Sequence, residues 1–328
     1  MECQSTSPSR RNDGIAPPGQ KERTLAEHEG AGKLSRSPDS QLADSQPPLG
    51  IRLHWSQASL KGICQSPMHC LFCKEESTGS RSQEHIIPES LGNTRHVLPV
   101  GLVCDSCNNY FSREVEKPFL ESAAITVLRF HQAIPSKRGR VPSVQGVLVP
   151  RFPVMCWKEP KDSVLAHVAL EEDGLKHLLS YDTGRIIIPA EGVPPSDRVV
   201  SRFLGKAGLE ALASRLVRYP EGLKYLVTEP QLDPVRDHAR RGTLPDWPYH
   251  VRRIYDANRT SPDERGSMVQ VVHEFDILQT DSSEYYFILA IFGLEFALNL
   301  GGPEVDGYLA WLNCHEGASP LYWGRNAG

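Results

Sequence analysis

The sequence predicts an α+β protein: a small metal-stapled finger followed by a larger mixed α+β domain with a mainly antiparallel sheet. Three observations carry this. Two Cys-x-x-Cys pairs, Cys70/Cys73 and Cys104/Cys107, stand thirty residues apart, and the second runs straight into a helix-like segment. From about residue 135 onward, short apolar runs rich in Val, Ile, Phe and Tyr alternate with Pro and Gly, the pattern of strands joined by turns. Between these runs one long stretch with apolar residues at helical spacing begins at Ser196-Asp197, a helix-capping pair.

A zinc ion takes four deprotonated ligands at tetrahedral corners, and one Cys-x-x-Cys turn supplies two thiolates from a single tight knuckle. Two knuckles therefore close one structural site. The usual four-cysteine spacing is about 15–20 residues; the thirty between Cys73 and Cys104 leave room for a loop with a second task. That loop carries Glu84-His85-Ile86-Ile87-Pro88, and Asn108-Asn109 follow the second pair at once. Of the eight cysteines, Cys3, Cys64, Cys156 and Cys314 have no partner at ligand spacing and read as free thiols.

The segment 68–117 resembles the HNH endonuclease family in its zinc-stapled form. The resemblance rests on Glu84-His85-Ile86-Ile87-Pro88, on the loop Glu89-Ser90-Leu91-Gly92-Asn93, and on Cys107-Asn108-Asn109-Tyr110-Phe111. It implies a ββα-metal finger with four cysteines on zinc, His85 as general base, and Glu84 and Asn108 as ligands of a catalytic Mg²⁺ or Mn²⁺. Asn109 stays open as the alternative ligand. The middle Asn with which relatives prop the loop has no counterpart at its usual place, since Asn93, the only Asn between His85 and Asn108, sits early.

Phosphodiester hydrolysis explains those residue types. A histidine with an ordinary pKa near 6.5 can accept a proton from water at neutral pH. A hard divalent ion acts as a Lewis acid and prefers oxygen ligands, which a carboxylate and an amide oxygen supply. Neighbouring strand residues point to opposite faces, so Glu84 and His85 diverge unless the strand ends or bulges there. Glu89 reads as a solvated surface acid, and His69 and His96 as ordinary surface or packing histidines.

A net charge of −4 gives no global nucleic-acid signature, so binding has to rest on local patches. Lys137-Arg138-Gly139-Arg140 lies nearest the finger; Arg151, Arg240-Arg241 and Arg252-Arg253 are the others. Reduced cysteines in a metal pattern point to a cytoplasmic compartment. The longest apolar run, 285–300, contains Gly293 and Glu295 and falls short of the roughly 20 residues a membrane helix needs.

Residues 1–62 carry Pro, Ser and Arg with few large apolar side chains and are expected to be disordered. Met68, two residues before the first cysteine, is a candidate native start. The finger is assigned to 63–133 and the α+β domain to 134–328. A helix is expected over 111–132, kinked or split at Pro118, then strands at 144–149, 164–170 and 185–189. A helix follows from Ser196-Asp197 to about Val217, with strands at 249–255, 268–278 and 285–300, the last two paired around residues 280–283. The polar stretch 233–241, with Asp233, Arg236 and Asp237, reads as a solvated face.

Together these readings point to a metal-dependent nuclease acting on DNA, with RNA left open. The rival from another class is a non-catalytic zinc module that binds nucleic acid or protein. A pure staple has no need of Glu84 or His85, which favours the enzyme.

Overall fold

The computed structural model describes residues 68–160, 166–181, 183–242, 247–262 and 268–325. The expected disorder of 1–62, the thiols Cys3 and Cys64, and the first residues of the strand expected at 164–170 lie outside the described residues. The described residues all fall in one compact unit.

The finger has little regular structure before its helix. Two antiparallel bridges, His69 with Glu76 and His85 with Val97, and a 3₁₀ turn, Glu89–Leu91, shape it. Helix α1 (Asp105–Phe111) starts on the cap residue Cys104 and passes through a π-helical turn, Ser112–Glu116, into α2 (Lys117–Leu120). The break expected at Pro118 falls instead at Glu121-Ser122, before α3 (Ala123–His131). Pro118 has no N–H to give the Glu114 carbonyl four residues back, and the wider π turn absorbs this. The Arg202 guanidinium donates to that carbonyl instead, at 3.4 Å.

The first sheet holds β1 (Val144–Leu148), β2 (Phe152–Trp157), β3 (His167–Leu170) and, after α4 (Glu172–Leu179), β4 (Ile186–Ile187), in the antiparallel order β3-β2-β1-β4. Sequence reasoning missed β2 because Pro153 argues against a ladder strand. Pro153 fits because pairing to β3 begins only at Val154. Val144, Leu148, Val154 and Cys156 turn one face of the sheet onto Val127 and Phe130 of α3.

Helix α5 (Asp197–Leu216) is buried on nearly all sides, as a central helix must be. It packs against α6 (Pro220–Thr228), α7 (Asp233–Arg241) and the second sheet. That sheet contains β5 (His250–Arg253); β6 (Thr260–Pro262) and β7 (Met268–Gln270) pair separately; β8 (His273–Gln279), β9 (Tyr285–Ile291) and β10 (Leu294–Asn299) complete the antiparallel order β5-β10-β9-β8. Helices α8 (Asp306–Cys314) and α9 (Tyr322–Arg325) follow.

The pairing expected around residues 280–283 joins β8 to β9, but two strands expected as single runs are divided. The stretch 268–278 splits into β7 and β8, and 285–300 folds back at Phe292-Gly293. Both turn residues have positive φ, 47° and 76°, as a two-residue hairpin turn of right-handed strands requires. A side chain at Gly293 would meet the Tyr255 carbonyl oxygen at 2.1 Å. A bulky Phe where Asn is usual hid this turn.

The finger docks on α5 through Phe119 and Phe203, buried rings stacked 4.1 Å apart at 5°. Phe203→Ala should destabilise the protein by about 3–5 kcal/mol in denaturant titration. A change under about 1 kcal/mol would show that the finger is not held through this contact.

Candidate active site and metal centre

The four cysteine sulfurs of Cys70, Cys73, Cys104 and Cys107 lie within 4.8 Å of one another, with Cys73 and Cys104 at 3.7 Å. Zinc–sulfur bonds of about 2.3 Å in a tetrahedron set sulfurs about 3.8 Å apart, so the group fits a structural zinc site. Backbone N–H groups already face it: Cys104 N donates to Cys70 Sγ at 3.3 Å and Cys107 N to Cys104 Sγ at 3.4 Å. The Cys107 thiol, hydrogen-bonded to Cys70, holds Cys70 down at about 4, and Cys107 beside that thiolate is pushed up. Among the described residues this is the one group of three or more Cys, His, Asp or Glu side chains gathered closely enough to hold a metal.

Four groups place His85. Its backbone bridges to Val97. Asn93, buried at 1 % exposure, closes the loop between them. The Asn93 amide donates to the Ile87 carbonyl at 2.6 Å and the His96 carbonyl at 3.0 Å, and its oxygen accepts from Arg95 N at 3.0 Å and His96 N at 2.9 Å. The loop prop thought to be missing is therefore present in Asn93; distance from the second cysteine pair was the wrong measure of its role. Gly92 lets the chain turn here, with φ +79° and the Val272 side chain 3.2 Å from where a Cβ would stand. His273 fastens the same loop from β8, donating from Nδ1 to the Leu91 carbonyl at 2.9 Å.

Glu89 is not a bystander. Its carboxylate lies 3.4 Å from His85 Nε2 and 3.5 Å from Lys137 Nζ. His85 Nδ1 is buried without a hydrogen-bond partner. The i, i+4 spacing of His85 and Glu89 was a signal in the sequence, obscured by the intervening Pro88. Lys137 is thereby brought to the His85 loop; Arg138 and Arg140 are exposed beside it in the chain.

Glu84 goes the other way. Its carboxylate accepts from Lys206 Nζ on α5 at 2.5 Å, and Lys206 also donates to Glu116 at 2.6 Å and to the His85 carbonyl at 3.3 Å. Glu210, one turn along α5, sits 3.0 Å from the same ammonium. Lys206 and Glu210 are fully buried and Glu84 nearly so. Burial pushes the Glu84 and Glu210 carboxyls above the usual carboxylate range despite Lys206. Burial opposes the charge on Lys206, but Glu116, Glu210 and Glu84 outweigh it and hold its pKa well above the ordinary lysine value.

Asn108 faces the segment leading to Glu84, its amide nitrogen donating to the Gln83 carbonyl at 3.2 Å, whereas Asn109 is exposed. Asp105 at the start of α1 accepts from Arg81 N at 3.0 Å and Ser82 N at 2.8 Å, and from the Ser82 hydroxyl. It anchors the approach to Glu84 and had no recognisable signal. Glu84 turns away from His85 and its carboxylate is engaged by the Lys206 ammonium. Asn108 bonds backbone through its amide nitrogen, a bond that does not use its oxygen. Glu84 is therefore not a free ligand for a divalent ion in this arrangement.

The stretch 233–241 is not a solvated face. Arg236 is buried, and donates to the Leu71 carbonyl inside the first knuckle at 2.7 Å and to the Leu226 carbonyl at 2.5 Å. Lys74 pairs with Asp233 at 2.5 Å. Arg202 donates to Tyr110 at 2.9 Å and to the Arg240 carbonyl at 2.9 Å. These polar residues are a clamp on the finger, invisible without knowing what lies opposite. Arg252 is likewise engaged, 2.5 Å from the buried Glu295.

Residues 70–123 match the family model described as HNH endonuclease. No curated protein and no solved structure matches the chain. None of the described helices is long and apolar enough to cross a membrane.

Burial holds the His273 pKa down at about 4, against about 6.5 in an unfolded chain. The unfolded state then binds the extra proton first, so stability falls as pH drops from about 6.5 to 4 and the term vanishes above that window. His273→Asn, which keeps a donor toward Leu91, should flatten the loss of stability between pH 6.5 and 4 in thermal melts. An unchanged slope would show that His273 is not the group responsible.

Proposed function

We propose that this protein hydrolyses phosphodiester bonds in DNA as a zinc-stapled ββα-metal nuclease, with His85 as general base. One observation carries the reading: His85 stands on the family-matched segment with Nε2 facing the Glu89 carboxylate and Nδ1 without a protein partner. A carboxylate beside Nε2 favours the tautomer with its proton there and leaves a lone pair on Nδ1; that atom is enclosed in this arrangement, so the attacking water would have to be admitted beside it with the substrate to give up its proton. Asn93 and the bridge to Val97 hold the imidazole for that transfer.

Zinc on the four cysteines fixes the start of α1 relative to the His85 strand. Lys137 beside Glu89, with exposed Arg138 and Arg140, supplies cations for the phosphates flanking the scissile bond. The divalent ion typical of such nucleases would supply Lewis-acid stabilisation. Glu84 does not offer it a free carboxylate, and the proton transfer described here rests on His85 alone.

The test is nicking of supercoiled plasmid with Mg²⁺, Mn²⁺ or EDTA, with zinc content measured on each protein. His85→Ala should lower cleavage by about 10²–10⁴-fold with zinc unchanged, and Glu89→Gln by a smaller factor. Full activity in His85→Ala rejects the assignment. Zinc retention without cleavage of plasmid, single strands or RNA points to a binding module instead.

A further inference from the structure

We propose that Lys206 is a cation built into the nuclease site: the chain fills with its own ammonium the carboxylate position at Glu84 that a metal ion would take, and so positions His85. This deepens the nuclease reading and rests on it for what His85 does.

The geometry is that of a built site. Glu84 comes from the finger segment just before the His85 bridge, Glu116 from the π-helical turn, and Glu210 from α5, and all three carboxylates meet one nitrogen at 2.5, 2.6 and 3.0 Å. An ammonium has three protons to give. Lys206 gives them to Glu84, Glu116 and the His85 carbonyl, so its donors are fully used. The last of these bonds acts on the backbone of the proposed base. The stem is carried in by α5, whose Phe203, Lys206 and Glu210 lie at i, i+3 and i+7, one face of a helix, and Phe203 on that face stacks on finger residue Phe119.

The arrangement has two chemical consequences. A divalent ion at Glu84 would have to share a carboxylate whose Oε1 already accepts from a tethered, fully hydrogen-bonded ammonium. Lys206 is then a positioning residue: it fixes the strand end at Glu84-His85 through the carboxylate on one residue and the carbonyl on the next. The segment beyond residue 134 thereby completes the finger.

Mn²⁺ binding to the zinc-loaded full chain without nucleic acid, read by loss of the free-ion EPR signal, tests the cation. Wild type and Glu84→Gln should bind Mn²⁺ alike. Lys206→Ala should gain a site at least about tenfold tighter than any in wild type, and Lys206→Ala with Glu84→Gln should lose it again. A drop of about tenfold or more in wild-type affinity on Glu84→Gln would make Glu84 a metal ligand and overturn the proposal, as would folded Lys206→Ala with no gained site. If Lys206→Ala does not fold, the comparison of wild type with Glu84→Gln still decides.

Positioning is tested by Lys206→Met, which keeps the stem. It should lower kcat per folded, zinc-loaded molecule about tenfold or more with KM little changed. An unchanged kcat per folded molecule would leave Lys206 merely structural and overturn its positioning role. The Mn²⁺ comparison needs no cleavage, so a failure of the nuclease reading and a failure of this one are separable.

Discussion

The ammonium of Lys206, enclosed by Glu84, Glu116 and Glu210, is the constraint on which the finger's placement depends. A charge with no exposure is tolerated only when paired and hydrogen-bonded, and here every partner but Glu210 and its own helix belongs to the finger. Removing one member of such a set leaves uncompensated buried charge, typically worth about 3–5 kcal/mol. That is a large share of the stability of an ordinary domain. Buried ion pairs are a poor source of stability but a strong source of specificity in some proteins. In this chain the specificity is geometric: α5 meets the finger in a register that brings Lys206 to Glu84 and Glu116 while Phe203 stacks on Phe119.

Around that point the finger is tied down by contacts of a different kind. The four cysteines bring its two knuckles together in a group that fits zinc. The polar clamp from α5 and α7 then satisfies carbonyls that the knuckle and the π turn leave open, Leu71 through Arg236 and Glu114 through Arg202. Each of these guanidiniums replaces a backbone donor that the local geometry cannot provide. His273 does the same for Leu91.

Much of this was legible in the sequence where the signal is local. The cysteine spacing located the metal group, and the Ser196-Asp197 cap located α5 to within a residue. What was not legible depends on partners distant in the chain. Lys206 and Glu210 carry no motif of their own, and only the finger packed against them makes them a core. Arg236 read as solvated for the same reason, although it bonds to a carbonyl 165 residues away. Asn93 and Glu89 were misjudged for another cause: each was measured against linear spacing, while their hydrogen bonds depend on a loop folded back over Pro88 and Gly92.

In the proposed function, the direction from which a phosphate would approach follows from where the charges are spent. Arg236 and Lys206 are consumed inside the protein and Arg252 is held by Glu295, so none of them is available to a phosphate. Lys137, Arg138 and Arg140 are exposed, and Lys137 alone of these reaches Glu89. In the proposed reaction Glu89 stands between the base and the basic loop, with the imidazole on one side and the ammonium on the other. A phosphate approaching Lys137 competes with Glu89 for it, which leaves the carboxylate more fully to His85 Nε2. On that reading, substrate binding at the loop and orientation of the base would be coupled through one carboxylate, by a local cluster of cations in a chain whose net charge is −4.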